Sequence, residues 1–366
     1  MIIKKVKYLH ILWHPDLKFN PNLVRMINNE PDYFNSKEHL FVTPHENVYN
    51  SLKEYENVVL AGKETDNLIN KFGKYTDWIF VHSLNCSKSK VIFTRKKFAK
   101  KVIWRTWGHD IRNLSLEGCN PITKIVKKLF WQLYIRKVHQ FRAFGIGNDI
   151  DNVNICRIFG DMQSYRLSYF YEKGRFEQLQ TIRESSEKNC AKQGPLRILI
   201  GHSASPFDNH IDAMAAVEKY KDEDIKICMI LSYGGQKEYV EKVKEYANRK
   251  FPNKVEIVDT FMSYFEFASY LSNIDVAIFN QEYSTALGNL SLLLFFKKMI
   301  YFKKNSEFTE SFDKNSCGYK VLDDIKNMSF NSFVNEKMST ELIKQYNGIV
   351  SSDSVCKMFA NLLSEL

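Results

Sequence analysis

The second half of the chain alternates short runs of branched aliphatic residues with longer amphipathic stretches. The amphipathic stretches predict helices near 209–220, 236–250, 263–272 and 287–297. Short strands separated by helices of roughly 10–15 residues are typical of βαβ units, so the pattern predicts a mostly parallel sheet. The predicted strands are Leu196–Gly201, Ile225–Leu231, Val255–Val258, Val276–Phe279 and Met299–Phe302.

The first half shows the same alternation less regularly. A helix is predicted from Pro121 to about Phe141, because Asn120 suits an N-cap and Pro121 suits the first turn. Residues 351–366 have apolar positions at helical spacing behind a serine, which predicts a terminal helix. The predicted strands are Val6–Trp13, His39–Thr43, Val58–Leu60, Trp78–His82 and Val102–Trp104.

The length of 366 residues indicates two domains, since one ordinary core rarely serves so long a chain. The stretch 157–194 is polar and short of branched aliphatic residues, which is typical of a connection. We therefore expect a first domain at 1–156, a connection at 157–194 and a second domain at 195–345. A C-terminal helix in 346–366 can pack back on the first domain.

Several classes of protein are disfavoured by composition. The longest apolar run, Leu290–Phe296, ends at Lys297 and falls short of the roughly 20 residues that span a bilayer. The N-terminal MIIKKVKYLHILW lacks a signal-peptide cleavage site and predicts a first strand. Seven scattered cysteines without a CxxC pair favour reduced thiols in a cytosol over disulfides or a zinc site.

The net charge of +10 is concentrated in the first half. Residues 1–193 carry 32 Lys and Arg against 19 Asp and Glu, whereas the remainder carries 20 against 23. Residues 88–142 hold 15 basic side chains and two acids, Asp110 and Glu117. This asymmetry indicates a partner rich in phosphate, such as a phosphorylated substrate, anionic lipid or nucleic acid, although a solvated basic surface explains it too.

Three loops follow predicted strands of the second half, after Ile200, Leu231 and Phe279. Ligands of parallel sheets bind beyond the carboxyl ends of the strands, so these loops are candidate site segments. The first loop, GHSASPFDNHIDA, joins small residues to a helix start, which suits an anionic ligand or an ordinary capped helix. Its candidate contacts are His202, Ser203, Asp208 and Asn209.

The second loop, SYGGQKEYVEKV, places Tyr233 at a strand end before two glycines. Tyr233 can lie over a nucleobase, and Gly234 permits close backbone approach. A glycine turn beside a packed tyrosine explains the same residues, and this alternative stays open.

The third loop, FNQEYSTALGNLSLLLFF, changes abruptly from an apolar strand to polar residues and then to an apolar helix. Amides at a helix start lack intrahelical partners and carry partial positive charge, which suits a diphosphate. So many polar groups beside a buried helix are costly unless satisfied, which favours a ligand site over simple capping. The candidate residues are Asn280, Gln281, Glu282, Thr285, Gly288 and Asn289.

These segments resemble a known family. NHIDAM, SYGGQKEYVEKV and FNQEYSTALGNLSLLL, in this order, and the upstream WRTWGHDIR are similar to the bacterial 4-alpha-L-fucosyltransferase family, glycosyltransferase family 56. That family includes the 4-acetamido-4,6-dideoxygalactose transferases of enterobacterial common antigen synthesis. The resemblance implies an α/β GT-B fold, with two Rossmann-like domains facing across a cleft. It also implies a dTDP-sugar donor in the second half and a polyprenyl-diphosphate-linked acceptor against the first.

The basic helix predicted at 121–142 suits a lipid-linked acceptor. Cations alternate with aromatic rings, as in segments that lie at the surface of a bilayer, although its apolar face can also pack on the first domain. We expect a cytoplasmic protein, peripheral on the inner face of the plasma membrane. The candidate membrane contacts are Lys124, Lys127, Lys128, Trp131, Arg136 and Lys137.

Candidate catalytic residues follow the strand at Val102–Trp104. Asp110 lies in a basic region, where nearby positive charge favours its ionised form. Asp110 or a neutral His109 can accept the proton of an attacking sugar hydroxyl, although Asp110 can equally cap a turn. Trp107 and His14 are predicted to face the cleft on the acceptor side.

Two alternatives to this interpretation differ in their chemistry. A metal-dependent GT-A transferase would use a DxD pair, and Asp149–Asp151 and Asp222–Asp224 both match that short pattern. A non-enzymatic protein could instead bind nucleic acid through the basic block, although no recognised module is present. For the GT-B interpretation no metal is expected, because helix starts and cations stabilise the leaving diphosphate. No cofactor is expected either, because the dTDP- or UDP-sugar is a substrate.

Overall fold

The computed structural model describes residues 6–17, 19–84, 95–112, 125, 135–168, 174–188 and 194–366. The chain divides into two compact units. Unit 1 comprises Met1–Lys173 and Ser351–Leu366, and unit 2 comprises Gly174–Val350. Within the described ranges, no helix has the length and apolar character that a membrane crossing requires.

Unit 1 contains a seven-stranded parallel sheet in the order β3-β2-β1-β4-β5-β6-β7. Its strands are β1 (Tyr8–Leu12), β2 (His39–Thr43), β3 (Val58–Leu60), β4 (Trp78–His82), β5 (Val102–Arg105), β6 (Ala143–Ile146) and β7 (Ser164–Arg166). One face of the sheet packs an aliphatic and aromatic core that includes Leu9, Ile11, Ile79 and Trp104.

Unit 2 contains a six-stranded parallel sheet in the order β10-β9-β8-β11-β12-β13. Its strands are β8 (Leu196–Ile200), β9 (Ile225–Ile230), β10 (Val255–Val258), β11 (Val276–Phe279), β12 (Met299–Phe302) and β13 (Lys320–Val321). In both sheets the strand order reverses beside the first strand, between β1 and β4 and between β8 and β11. Such reversal points open crevices that bind ligands in α/β proteins.

Helices connect the strands. The described helices of the first half are α1 (Phe19–Asn29), α2 (Glu46–Asn50), α3 (Thr65–Phe72), α4 (Lys96–Ala99), α5 (His109–Arg112) and α6 (Asp149–Phe159). Those of unit 2 are α7 (Arg175–Lys188), α8 (His210–Val217), α9 (Lys237–Lys250), α10 (Tyr264–Ser272), α11 (Leu287–Phe295), α12 (Glu307–Lys314), α13 (Phe330–Asn335) and α14 (Thr340–Tyr346). The chain ends with α15 (Ser352–Glu365), which belongs to unit 1.

The predicted strands of both halves are present, most of them within one residue of the predicted bounds. The predicted connection over 157–194 differs from the structure, because it contains β7 and α7. Strand β7 pairs with β6 in unit 1, and α7 belongs to unit 2. The polar composition of this stretch has a simple cause: α7 buries one side chain, Leu179, and exposes most of the others. The helix predicted from Pro121 lies mostly outside the described residues.

Candidate functional site

The loop after β8 is organised by a buried carboxylate. Asp208 Oδ2 accepts hydrogen bonds from the amides of His202 at 3.2 Å and Ser203 at 2.9 Å, and from Ser203 Oγ at 3.0 Å. Asp208 Oδ1 lies 2.7 Å from His202 Nδ1. Burial opposes ionisation of Asp208, but the hydrogen bond and positive charge of His202 outweigh it and hold its pKa below the usual value. Asp208, fully buried, therefore shapes the loop, a role that differs from the predicted ligand contact.

Gly201 allows this loop to pack closely on α8. Its φ is +69°, and a Cβ atom there would lie 2.7 Å from His210 Nε2. Ser203 is buried under the same loop, and its hydroxyl is engaged in the hydrogen bond to Asp208. His202 is buried as well, at 7 % exposure. The most accessible side chains of this loop therefore come after Ser203, as the exposed Phe207 does.

The loop after β9 packs on the loop after β8. Tyr233 Oη donates to His202 O at 3.0 Å, and Ala204 N donates to Tyr233 O at 2.7 Å. Gly234 has a φ of +85°, and Gly235 approaches so closely that a Cβ would lie 2.2 Å from Ala204 O. The tyrosine ring is still 49 % exposed. The turn therefore contains glycines beside an anchored tyrosine, and contact of its exposed ring with a nucleobase stays a prediction.

The loops after β8 and β11 meet where the strand order reverses. Asn209 Nδ2 donates to Asn280 O at 2.8 Å, and Asn280 Nδ2 donates back to Asn209 O at 3.4 Å. Asn209 adopts a left-handed conformation with φ of 48°, which asparagine tolerates better than most residues. The rings of Phe207 and Tyr283 lie 6.0 Å apart across the same junction. The sequence-predicted residues of the first and third loops are therefore brought together.

Polar groups continue from this junction to the start of α11. Gln281 is fully buried, and its Nε2 donates to Thr285 O at 3.5 Å. Its Oε1 has no hydrogen-bond partner among the described residues, and the same holds for Nδ2 of Asn289 in the first turn of α11. Gly288, also in that turn, leaves open space where a side chain would stand. Unsatisfied polar atoms are costly, so these positions favour a ligand.

The loop after β11 is held in place by Glu307, a residue that the sequence did not indicate. Glu307, at the start of α12, accepts hydrogen bonds from Ser284 N at 2.7 Å and Ser284 Oγ at 2.6 Å. Glu282, a predicted ligand contact, is instead exposed and pairs with Lys303 at 2.9 Å. Glu307 lies 23 positions from the serine that it holds, and no local pattern links the two.

In unit 1, Asp110 is enclosed by donors. Its Oδ2 accepts from Trp104 Nε1 at 2.8 Å and Leu84 N at 3.0 Å, and its Oδ1 accepts from Trp107 N at 2.9 Å and Ile111 N at 3.1 Å. The carboxylate thus joins the loops after β4 and β5. This arrangement differs from the predicted proton acceptor, because the lone pairs of Asp110 are committed to structural hydrogen bonds.

The other candidates of unit 1 lie at the same edge of the sheet. His14 follows β1 and Trp107 follows β5, and their ring centres are 5.1 Å apart. His109 begins α5, and only its backbone is described. Arg136 is exposed and Lys137 partly so, in a helical segment at 135–138. Lys124, Lys127, Lys128 and Trp131 lie outside the described residues.

The two DxD matches occupy ordinary structural positions. Asp149 and Asp151 form the first turn of α6, where Asn148 Oδ1 accepts from the amides of Ile150 at 2.9 Å and Asp151 at 3.2 Å. Asp222–Asp224 lies in an exposed turn before β9. In the part of the chain that the structure describes, no three His, Cys, Asp or Glu side chains are grouped as a metal site would require.

Solved structures share this fold over almost the whole chain. A glycosyltransferase from Rickettsia africae has a TM-score of 0.61 at 11% identity, covering 99% of this chain and 98% of its own. Anabaena HepE in complex with UDP and glucose has a TM-score of 0.59 at 11% identity, covering 99% and 100%. Sucrose-phosphate synthase from Thermosynechococcus elongatus has a TM-score of 0.55 at 8% identity, covering 98% of each chain.

Two parallel α/β units of this kind form the GT-B fold, which these glycosyltransferases share. The GT-A alternative is therefore wrong at the level of the fold. The family model described as 4-alpha-L-fucosyltransferase, glycosyl transferase group 56, matches residues 35–343. The chain belongs to this family and is a glycosyltransferase, which confirms the resemblance and overturns the non-enzymatic alternative.

Proposed function

We propose that this enzyme transfers a sugar, of the deoxyamino type, from a dTDP- or UDP-sugar to a polyprenyl-diphosphate-linked or other cell-surface glycan. The observation that carries the proposal is the junction of Asn209 and Asn280, which holds two loops together at the strand reversal of unit 2. Beside that junction begins α11, whose first amides lack intrahelical partners. These loops form the donor site.

The donor's diphosphate is assigned to the first turn of α11. Amides at Gly288 and Asn289 and the unpartnered Asn289 Nδ2 offer donors to phosphate oxygens. Partial positive charge at a helix start stabilises the diphosphate as it leaves, without requiring a metal ion. The exposed ring of Tyr233 offers a face for the nucleobase. The HepE structures, which contain UDP, UDP with glucose and UDP-glucose, support a nucleotide-sugar donor.

The acceptor is assigned to the carboxyl edge of unit 1, where His14 and Trp107 lie together. An acceptor hydroxyl attacks the anomeric carbon, the bond from that carbon to the diphosphate oxygen breaks, and a base receives the hydroxyl proton. His109 is the candidate base. Asp110 positions the loop that carries His109, because it holds Trp107 N and Ile111 N on either side. The enzyme acts at the inner face of the plasma membrane, where such acceptors are presented.

A nucleotide panel tests the donor assignment. Ligands that bind the folded state raise its stability, by about 2.7 kcal/mol at a hundredfold excess over Kd. We expect dTDP or UDP to raise the melting temperature more than GDP or CMP. Asn289→Ala removes the unpartnered amide in α11 and should abolish most of this rise, whereas the exposed Asn335→Ala in α13 should preserve it.

The opposite results would contradict the proposal in separate ways. A preference for CMP would overturn the assigned donor class. An undiminished nucleotide response in Asn289→Ala would remove the start of α11 from the donor site. Full transfer activity in excess EDTA is expected, and its loss would contradict a metal-independent mechanism.

A further inference from the structure

The loops at the carboxyl edge of the unit 2 sheet contain no lysine or arginine. They are 201–209 after β8, 231–236 after β9, 259–263 after β10 and 280–286 after β11. A nucleoside diphosphate carries more than one negative charge, and proteins usually bind such groups with lysine, arginine or a metal ion. Within these loops, the imidazole of His202 is the one side chain that can carry a positive charge near neutral pH.

The lysines that border these loops lie outside them. Lys237, at the start of α9, pairs with Glu241 at 3.7 Å. Lys303, just after β12, pairs with Glu282 at 2.9 Å. Lys304 is exposed one position further along the chain. Inside the loops, neutralisation of a bound diphosphate is therefore left to one imidazole and to the partial charge at the start of α11.

A buried carboxylate holds this imidazole. Asp208 Oδ1 lies 2.7 Å from His202 Nδ1, and Asp208 is fully buried. A carboxylate at this distance interacts favourably with an imidazolium and fixes the orientation of its ring. His202 Nδ1 is buried, whereas 9 % of the side chain stays exposed, so the exposed part lies away from Nδ1. Among the residues that the structure describes, none forms a hydrogen bond with Nε2 on the other side of the ring.

The other titratable groups around this pair keep their charge state near neutral pH. His210, at the start of α8, lies near Asp208, but burial lowers its pKa and favours its neutral form. Its Nδ1 lies 3.0 Å from Tyr239 Oη. Burial raises the pKa of Tyr239 and that of Tyr233, whose hydroxyl donates to His202 O, so both phenols stay neutral. His202 is therefore the group of this cluster whose charge changes in the range where imidazoles titrate.

We propose that His202, as an imidazolium held by Asp208, binds the diphosphate of the donor and stabilises it as it leaves. This role rests on the proposed function, which assigns the diphosphate to the same edge of unit 2. When the bond from the anomeric carbon to the diphosphate oxygen breaks, its electron pair stays on that oxygen, and Nε2–H donates a hydrogen bond to the added charge. The imidazolium keeps its proton, and the proton of the acceptor hydroxyl goes to the base in unit 1.

Isothermal titration calorimetry of the full-length chain with UDP and with dTDP tests this role. The Kd of the parent should rise about tenfold between about pH 6 and about pH 8, where imidazoles lose their proton. In buffers of different ionisation enthalpy, binding near neutral pH should take up more protons in the parent than in His202→Gln, by up to about one. The terminal phosphate of the nucleotide also titrates near pH about 6, but it does so equally for every variant.

Three variants separate the charge of His202 from its other properties. His202→Gln keeps a hydrogen-bond donor without the charge, so its Kd should exceed that of the parent about tenfold at about pH 6 and differ less at about pH 8. His202→Arg supplies a permanent cation and should bind with similar affinity at both pH values. His139→Gln removes an exposed imidazole of unit 1 and should keep the pH dependence of the parent. The melting temperature without nucleotide checks that each variant is folded.

The parent chain decides the matter even where a variant fails to fold. A Kd of the parent that does not change with pH, or a folded His202→Gln that matches the parent at both pH values, would overturn the role of His202 and leave the donor site standing. A parent that binds neither UDP nor dTDP would overturn the donor site and this role together. A pH dependence that survives in Asn289→Ala and vanishes in His202→Gln would support His202 as its source.

Discussion

Two buried carboxylates hold the loops at the carboxyl ends of the two sheets. Asp110 follows β5 in unit 1, and Asp208 follows β8 in unit 2. Each accepts amide hydrogen bonds from its own loop, and Asp110 reaches the loop after β4 as well. Hydrogen bonds to a charged group contribute about 1.5–3 kcal/mol each when buried, so these residues fix loop geometry before any ligand arrives.

Asp110→Asn distinguishes a positioning role from that of a base. The amide would place a donor against groups that donate, so we expect the free energy of unfolding of unit 1 to fall by about 2–3 kcal/mol. Tryptophan fluorescence in a denaturant series measures this directly, because all five tryptophans lie within residues 1–173. The exposed Asp161→Asn is the matched control. Lost transfer with an unchanged unfolding midpoint would instead identify Asp110 as the base.

At the scale of elements, most strands could be predicted because their apolar runs are short and give way within a residue or two to polar residues, glycine or proline. Val58–Leu60, Trp78–His82 and Val276–Phe279 have the predicted bounds. Strand β7, with the sequence SYR, could not be found in this way, because an edge strand of three partly exposed residues has no apolar run. Pairing with β6 makes it a strand.

The candidate site could be predicted only where its residues are close in sequence. Polar runs after β8 and β11 indicated the two loops, and the reversal of strand order brings them together. The exchange between Asn209 and Asn280 joins residues 71 positions apart, and it depends on the register of β8 and β11. The sequence shows the basic neighbours of Asp110, which made it a candidate base, but it does not show the amides that surround the carboxylate.

Helix α15 is attached to the sheet of unit 1 by an aromatic cluster. The Phe359 ring centre lies 5.6 Å from that of Phe80, 6.0 Å from Phe34 and 6.4 Å from His10. Its side chain is 2 % exposed. The last residues of the chain are therefore part of the core of unit 1, although the family model ends at residue 343.

Phe359→Ala measures how strongly this helix supports unit 1. Loss of a buried aromatic ring costs about 3–5 kcal/mol, so the tryptophan-detected midpoint should fall markedly. Lys357→Ala on the same helix removes an exposed ion pair with Asp353 and should leave the midpoint in place. Equal midpoints for Phe359→Ala and the parent would mean that α15 is not an integral part of the unit.

Across the whole molecule, ionisable groups are distributed unevenly in the core as well as on the surface. Unit 1 buries a row of three histidines on neighbouring strands. His10 Nδ1 lies 3.1 Å from His82 Nε2, and His10 Nε2 lies 2.9 Å from His39 Nδ1. Phe41 and Phe80 stack on His10 from the flanking strands. Unit 2 has no comparable row among its described residues.

Burial lowers the pKa of all three imidazoles, and the pKa of His39 falls to about 3. For His10, the neighbouring His39, His82 and Arg105 lower the pKa further. Each is therefore protonated more readily in the unfolded chain, whose imidazoles titrate near pH 6.5. Stability is complete above that pH and is lost as the pH falls toward the folded-state pKa. Between pH about 6.5 and 5, protonation of His39 in the unfolded chain should by itself lower the free energy of unfolding by about 2 kcal/mol.

Unfolding of the parent chain, followed by tryptophan fluorescence between neutral and mildly acidic pH, should show this loss in unit 1. His39→Gln retains a polar partner for His10 but cannot titrate, so its stability should depend less steeply on pH. The exposed His139→Gln removes an imidazole without burial and should keep the steep dependence of the parent. If all three proteins lost stability equally, the acid sensitivity would belong to carboxylates elsewhere, because only the buried row distinguishes His39 from His139.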